Sequence, residues 1–358
     1  MRKVAFQPKV LPSLHTELAR AAQRLSTKLH HLEVKRIGIS EYNQVYLANH
    51  IGNLRAILGV YGDLLELLLA DVSFPLSQVA VIDYGGGSGV LSLFAKELGI
   101  GTVIYQDIYD VSCKDAMILA NFLGRPLDHI VCGDVEDLVH YVRVNSIDVT
   151  GVVSFDVLEH IYDIESHFAH LAHLSAQPFR VVYGSGANIS NPVYVFQVKR
   201  KQRAAELTER KPATDHKGRD ALGAYLTIRK NIVSNYAPSL GPGDVEFLAR
   251  ATRGLKQQDI MRGVDEFIET GKISYHIDHP TNTCDPFTGN WCEHLIKKGW
   301  LRDTVVKAGF RTEILAGFYQ TPGSLIKRAI APLFNLAIRL SGRRVMFLAP
   351  YYVLKAAR

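Results

Sequence analysis

Apolar residues recur at helical spacing along the first seventy positions, from about residue 14 to residue 70. The clearest run lies at 46–70, where Leu47, Ile51, Leu54, Leu58, Tyr61 and Leu65 would fall on one face of a helix. After Ser73-Phe74-Pro75 the texture changes. Short apolar runs at 79–84, 102–106, 130–132, 149–155 and 179–183 have the length and β-branched content of strands buried on both faces. Helical patterns at 90–98, 116–123 and 164–174 alternate with them, and Gly99 and Gly124 stand where helices stop. Strands alternating with helices predict a parallel, doubly wound α/β sheet.

The alternation lapses over 188–280, a helical and polar stretch that reads as an inserted cap. It resumes with a helix expected over 291–308 and strands at 311–315 and 351–354. The expected organisation is therefore an N-terminal helical region (1–75), a Rossmann-like core (76–187), a helical cap or substrate insertion (188–290) and a C-terminal completion of the sheet (291–358). Seven strands are expected, the last one antiparallel. The completing part carries a basic amphipathic segment at 322–344, with Pro332 expected to kink or split its helix.

The first strand runs into Asp83-Tyr84-Gly85-Gly86-Gly87-Ser88-Gly89 and then a helix. Glycines permit a tight turn and close approach of a ligand, and the following helix N-terminus offers unpaired N–H groups. The dinucleotide fingerprint G-x-G-x-x-G fails, because its sixth position counted from Gly85 is Val90. That argues against a dehydrogenase. Asp107 ends the second strand, where a carboxylate can accept both hydroxyls of a ribose. Asp134 follows the third strand, and the fourth is followed by Asp156-Val157-Leu158-Glu159-His160.

The spacing Asp-x-Gly-x-Gly-x-Gly resembles motif I of the class I methyltransferases that use S-adenosylmethionine (SAM). Asp-Val-Leu-Glu-His after the fourth strand resembles the branch containing the ubiquinone and menaquinone methyltransferases. The resemblance spans about 79–183 and the C-terminal strands; the N-terminal helices and the insert lie outside it. It implies a Rossmann-like fold and SAM as co-substrate. Donor contacts are then expected at Asp83, Gly85, Gly86, Gly87, Gly89, Asp107, Ile108, Asp134, Val135 and Asp156, with the Asp134 carboxylate on the adenine amino group. Tyr84 could border the donor or serve packing.

On the acceptor side the residues speak less. His160 is the candidate general base, because imidazole titrates near neutrality, and Glu159 could hold the donor or orient a loop. His279 and Trp291 lie in a loop before the sixth strand and are candidates for substrate contact. Asn290-Trp291-Cys292-Glu293 has the form of a helix capping box. His276, Asp278, His279, Cys284, Cys292, Glu293 and His294 fit no zinc spacing, so no metal is expected.

Composition changes the picture in two respects. Among 358 residues the hydrophobic fraction is 47%, ordinary for a globular protein, and the net charge of +6 suits an anionic partner. The charge is localised. Positions 199–230 hold ten Lys or Arg and four Asp or Glu, and 322–358 holds seven Lys or Arg and no acid. The second segment suggests peripheral contact with a membrane. Cys113, Cys132, Cys284 and Cys292 form no CxxC pair, which suits a reducing compartment. With no apolar run of signal-peptide or membrane-spanning length, a cytoplasmic protein is expected.

The expected activity is methyl transfer from SAM to a small-molecule or lipid-linked acceptor, at oxygen. A nucleic-acid methyltransferase fits less well: the Asn/Asp-Pro-Pro-Tyr sequence of exocyclic-amine methylation and a Pro-Cys pair are both lacking. A non-catalytic SAM-binding protein is the other alternative.

Overall fold

The computed structural model describes residues 12–174, 178–209, 221–320 and 325–358. Helices α1 (Pro12–His30), α2 (Glu41–Gly52) and α3 (Leu54–Leu69) precede the first strand. The run read as one helix over 46–70 is two: the chain breaks at Asn53, whose φ of −121° is not helical. Ser40 caps α2 through the Asn43 N–H, and Ser40 and Asn43 are both tied to the Asp115 carboxylate.

The sheet is built from β1 (Ala80–Tyr84), β2 (Thr102–Asp107), β3 (His129–Cys132), β4 (Gly151–Phe155), β5 (Arg180–Ser185), β6 (Arg311–Ala316) and β7 (Tyr352–Ala357). Its order is β3-β2-β1-β4-β5-β7-β6. β7 is antiparallel to both β5 and β6, and the pairs formed by β1 to β5 are parallel. This is the α/β, Rossmann-like arrangement the alternation predicts, with the last strand inserted antiparallel beside the sheet edge. The helices that interleave are α4 (Val90–Leu98), α5 (Asp110–Phe122), α6 (Val135–Val144) and α7 (Ile164–Leu171). Gly99 closes α4 in the left-handed conformation, at φ 92°.

Strand residues alternate between two apolar layers, because successive side chains point to opposite faces. Val81, Val103, Val153, Val182 and Val353 pack with α1, α3 and α4. Ile82, Ile104, Val152, Val181 and Leu354 pack with α6, α7 and a later helix over 298–307. Across the first layer, buried Glu97 of α4 gathers Lys28 of α1, Arg24 and Arg125. Desolvation raises its pKa, but Lys28 and Arg125 outweigh that and hold it below the ordinary value.

After β5 come α8 (Pro192–Leu207), α9 (Tyr225–Tyr236), α10 (Pro242–Ala251) and α11 (Gln257–Thr270). The last three share a small core of Ile232, Val233, Leu248, Ile260 and Val264. Arg229, fully buried, ties α9 to α8 through Glu206 and to α10 through the Ala249 carbonyl at 2.7 Å. Then α12 (Lys298–Lys307) leads to β6, and α13 (Leu325–Leu340) lies between β6 and β7.

Two expectations fail here. The helix expected from residue 291 begins at Lys298, and Glu293 adopts a left-handed φ of 56°, so Asn290–Glu293 is not a capping box. Trp291 instead bridges to Cys284 in an irregular loop. Of the kink or split expected at Pro332, the split does not occur, and α13 continues through it. Of the described residues in 199–230, Lys201 pairs with Glu293 and Lys230 with Glu246, so part of that cationic run is neutralised locally; positions 210–220 lie outside the described residues. A disulfide joins Cys113 of α5 to Cys132 at the end of β3, so two of the four cysteines are not the thiols expected.

Candidate active site at the carboxyl edge of the sheet

The glycine loop sits between β1 and α4, at the edge where the parallel strands end. Its conformation needs glycine at particular positions. Gly85, Gly87 and Gly89 have φ of 68°, 53° and 77°, the region in which a Cβ is penalised. A Cβ on Gly85 would stand 2.5 Å from Val157, and one on Gly86 would stand 2.5 Å from Tyr105.

Three consecutive residues of β2 fasten this loop. The Tyr105 hydroxyl donates to the Gly87 carbonyl at 2.7 Å. The Gln106 side chain accepts from the Gly85 N–H at 3.0 Å and donates to the Gly133 carbonyl at 2.5 Å, bracing the turns after β1 and β3 together. Asp107 accepts from the Gly87 N–H at 2.9 Å through one oxygen and from the Tyr109 N–H at 2.9 Å through the other. Asp107, itself buried, thus shapes the loop. Behind the loop, Asp83 is buried and accepts from Ser92 at 2.7 Å; burial raises its pKa from 3.8 to about 7.

The other predicted donor residues lie around this loop. Ile108 is 44% exposed directly after Asp107, an apolar side chain open to solvent. Asp134 caps α6: its Oδ1 accepts from the Glu136 and Asp137 N–H groups, and Asp137 closes a capping box. Val135 is buried beside it. Tyr84 turns into the core, against His167 at 4.8 Å and Tyr183 at 6.1 Å between ring centroids, so its role is packing.

A wall of the site comes from α2. Tyr42, Tyr46 and His50 occupy every fourth position of that helix, with Tyr46 and His50 rings 4.5 Å apart. A Cβ on Gly87 would approach the Tyr46 ring to 3.4 Å. The Ser88 hydroxyl meets His50 Nδ1 at 3.1 Å, and burial lowers the His50 pKa to about 4. Tyr46 is 39% exposed, yet its pKa is pushed up, by desolvation first and then by Asp156, Tyr42, Asp107 and Glu159. Its hydroxyl therefore lies in the field of carboxylates from both β2 and the segment after β4. The space bounded by α2, the glycine loop and the segment after β4 is the candidate cleft.

Beyond β4, Asp156 adopts a left-handed φ of 55° and accepts from the Gly186 N–H at 2.8 Å. The residue is exposed, yet desolvation together with Glu159 raises its pKa well above the ordinary value. Glu159 is fully buried. Neither of its oxygens makes a well-formed hydrogen bond; Ser185 and Asp156 are polar neighbours, and burial raises its pKa from 4.5 to about 7.

His160 Nδ1 lies 2.7 Å from the Trp291 carbonyl. A carbonyl only accepts, so Nδ1 carries the proton and the neutral ring keeps its lone pair on Nε2. The Trp291 N–H returns a bond to the His160 carbonyl at 3.3 Å, and the His294 N–H donates to the Glu159 carbonyl at 3.0 Å. The loop over 291–294 is thus laced onto Glu159-His160.

Trp291 itself is 7% exposed, stacked on His294 at 4.2 Å and on Tyr162 at 6.2 Å. His279 bonds Thr281 locally at 3.0 Å. Residues the sequence reading did not single out here are Tyr42, Tyr46, His50 and Gln106; Glu293 was read as part of a cap. Glu293, left-handed like Asp156, pairs with Lys201 of α8 at 2.7 Å and contributes to raising the Asp156 pKa. Among the described residues no group of three or more His, Cys, Asp or Glu is placed to hold a metal ion.

No family model and no curated protein matches the chain. Solved structures similar to it include a SAM-dependent methyltransferase from Mesorhizobium loti, at 13% identity over 80% of this chain and 94% of that one, with a TM-score of 0.37. A putative SAM-dependent methyltransferase from Listeria monocytogenes matches at 13% identity, over 86% and 99%, with a TM-score of 0.40. The plantazolicin methyltransferase BpumL in complex with SAH matches at 10% identity, over 97% and 99%, with a TM-score of 0.39. The fold assignment rests on the strand order rather than on superpositions this distant.

Proposed function

We propose that the protein is a methyltransferase that takes its methyl group from SAM and passes it to a small-molecule or lipid-linked acceptor at oxygen. The observation that carries this is the glycine loop fastened to β2 at the carboxyl edge of the sheet, with Tyr46 of α2 beside it in the field of Asp156 and Asp107. The residues fit the donor. A loop open at Gly87, a carboxylate at the end of β2 and an exposed Ile108 provide backbone, ribose and ring contacts, while Asp107 and Asp156 complement a positive charge.

Bound there, SAM would supply an activated methyl group on a sulfonium, so the protein's work is alignment and proton removal. The loop and Asp107 fix the donor half. Nε2 of His160, with its lone pair set by the Nδ1–H bond to Trp291, takes the proton of an acceptor hydroxyl. Glu159, fully buried and bonded through its carbonyl to the His294 N–H, orients the segment that carries His160.

Calorimetric titration of SAM into the wild type and Asp107→Ala tests the donor half. Binding in the micromolar range that is lost in the variant supports it, and a folded wild type that binds no SAM removes it. With binding in hand, His160→Ala separates the two halves: donor affinity is retained while transfer to a hydroxyl acceptor is lost.

A further inference from the structure

The helix α13 exposes the side that an ordinary surface helix hides. Its buried contacts run through Ala331 and Ile338, and Asn335 clamps the Tyr319 main chain with two bonds of 2.8 Å. On the opposite side Leu333, Leu336 and Leu340 are 65%, 54% and 81% exposed, at spacings of three and four residues that place them in one row. Globular helices turn that row to the core. Contiguous apolar surface left open marks an interaction site.

The stripe lies at the functional end of the sheet. It leaves the carboxyl end of β6, and β7 starts again opposite Ser185 at the end of β5. Tyr319, which precedes it, packs its ring 5.7 Å from Phe334.

Charge decides the occupant. From Gly317 to Arg358 there are seven Lys or Arg and no Asp or Glu. Arg343 is spent on Asp63 through two bonds, of 3.0 and 2.8 Å; Arg339 and Arg344 remain at the surface beside the stripe. A second copy packing here about a twofold axis would bring the same acid-free patch against itself, with nothing to pair the arginines. An anionic bilayer instead takes the leucines into its interface and the arginines against its phosphates. No described helix is long and apolar enough to cross the bilayer, which leaves lying on it.

We infer that the outer face of α13 is a docking surface for an anionic membrane, so that the cleft opens next to lipid. This holds whatever the cleft binds.

The test is flotation of the full chain with mixed phosphatidylcholine–phosphatidylserine vesicles and with phosphatidylcholine alone, with sedimentation velocity in the absence of lipid. Wild type is expected to float with the anionic vesicles, more weakly at high salt and with neutral ones. Leu333→Glu with Leu340→Glu should lower partition by at least about tenfold, with melting unchanged because both side chains are exposed. Arg339→Gln or Arg344→Gln should each cost about fivefold. A wild type that stays with the soluble fraction, or a leucine variant that floats as well as wild type, overturns the assignment. So does a lipid-free dimer that the leucine variant disperses, which would make the face an interface between copies.

Discussion

Glu159→Gln is expected to stabilise the fold in a pH-dependent way. The wild-type carboxyl is fully buried and its pKa is raised from 4.5 to about 7, chiefly by desolvation. A raised folded-state pKa means the folded chain binds its proton more tightly than the unfolded one. The stability this contributes is therefore complete below the unfolded value, and is lost as pH rises through the folded value. The interval from 4.5 to about 7 corresponds to roughly 3 kcal/mol. Glutamine keeps the shape and never ionises, so it escapes the loss. Asp83 is raised into the same range but is present in both proteins and cancels in the difference. Asp156, raised partly by Glu159, adds in the same direction when that neighbour is neutral. Urea unfolding should show the stability gap between variant and wild type widening by about 2–3 kcal/mol from about pH 5 to about pH 8, then levelling. A gap that stays constant with pH would refute the burial argument. A variant that gains stability while losing methyl transfer would mark Glu159 as a strained functional group.

Gly85→Ala should weaken SAM binding in calorimetry by tenfold or more, since its φ of 68° and a Cβ 2.5 Å from Val157 both force the loop to move. Asp107→Ala should lower the melting temperature as well as abolish binding, because the Gly87 and Tyr109 N–H groups lose their acceptor; Asp107→Asn should keep more of the fold than of the affinity. Affinity for a cationic donor should rise with pH over the range in which the Asp156 carboxyl, raised by burial and by Glu159, gives up its proton; titrations at several pH values would read the slope. Reduction of Cys113–Cys132, or its replacement by serines, should cost about 3 kcal/mol of stability, given a separation of 19 residues, and a denaturant midpoint unchanged by reductant would refute that.

Much of the sheet was legible because each of the five parallel strands carries an adjacent pair of Val or Ile, and because glycine and polar turns follow them. Helix α4 and its Gly99 stop agree with the pattern to the residue. Helix α6 was missed: its apolar residues Val135, Leu138, Val139 and Val142 are spaced for a helix, but Asp134, weighed as a ligand, was not also recognised as its cap. The reverse error befell Asn290–Glu293, whose capping pattern is overridden by the Glu293–Lys201 pair and the bonds that lace Trp291 and His294 to the segment after β4. Tyr42, Tyr46 and His50 gave no signal, since an aromatic row becomes a cleft wall only when tertiary packing lays α2 over the glycine loop. The same holds for Gln106, whose role depends on two turns far apart in sequence.

Because Tyr105, Gln106 and Asp107 are successive positions of one strand, the loop is keyed to the alignment of β2 against β1. Sliding β2 by one residue would undo all three fastenings together, and with them the turn after β3. The first half of the sheet therefore has little freedom to accept insertions or deletions before Asp107. Length variation among relatives of this chain should accumulate instead past β5, where the helices of 225–270 have a core of their own.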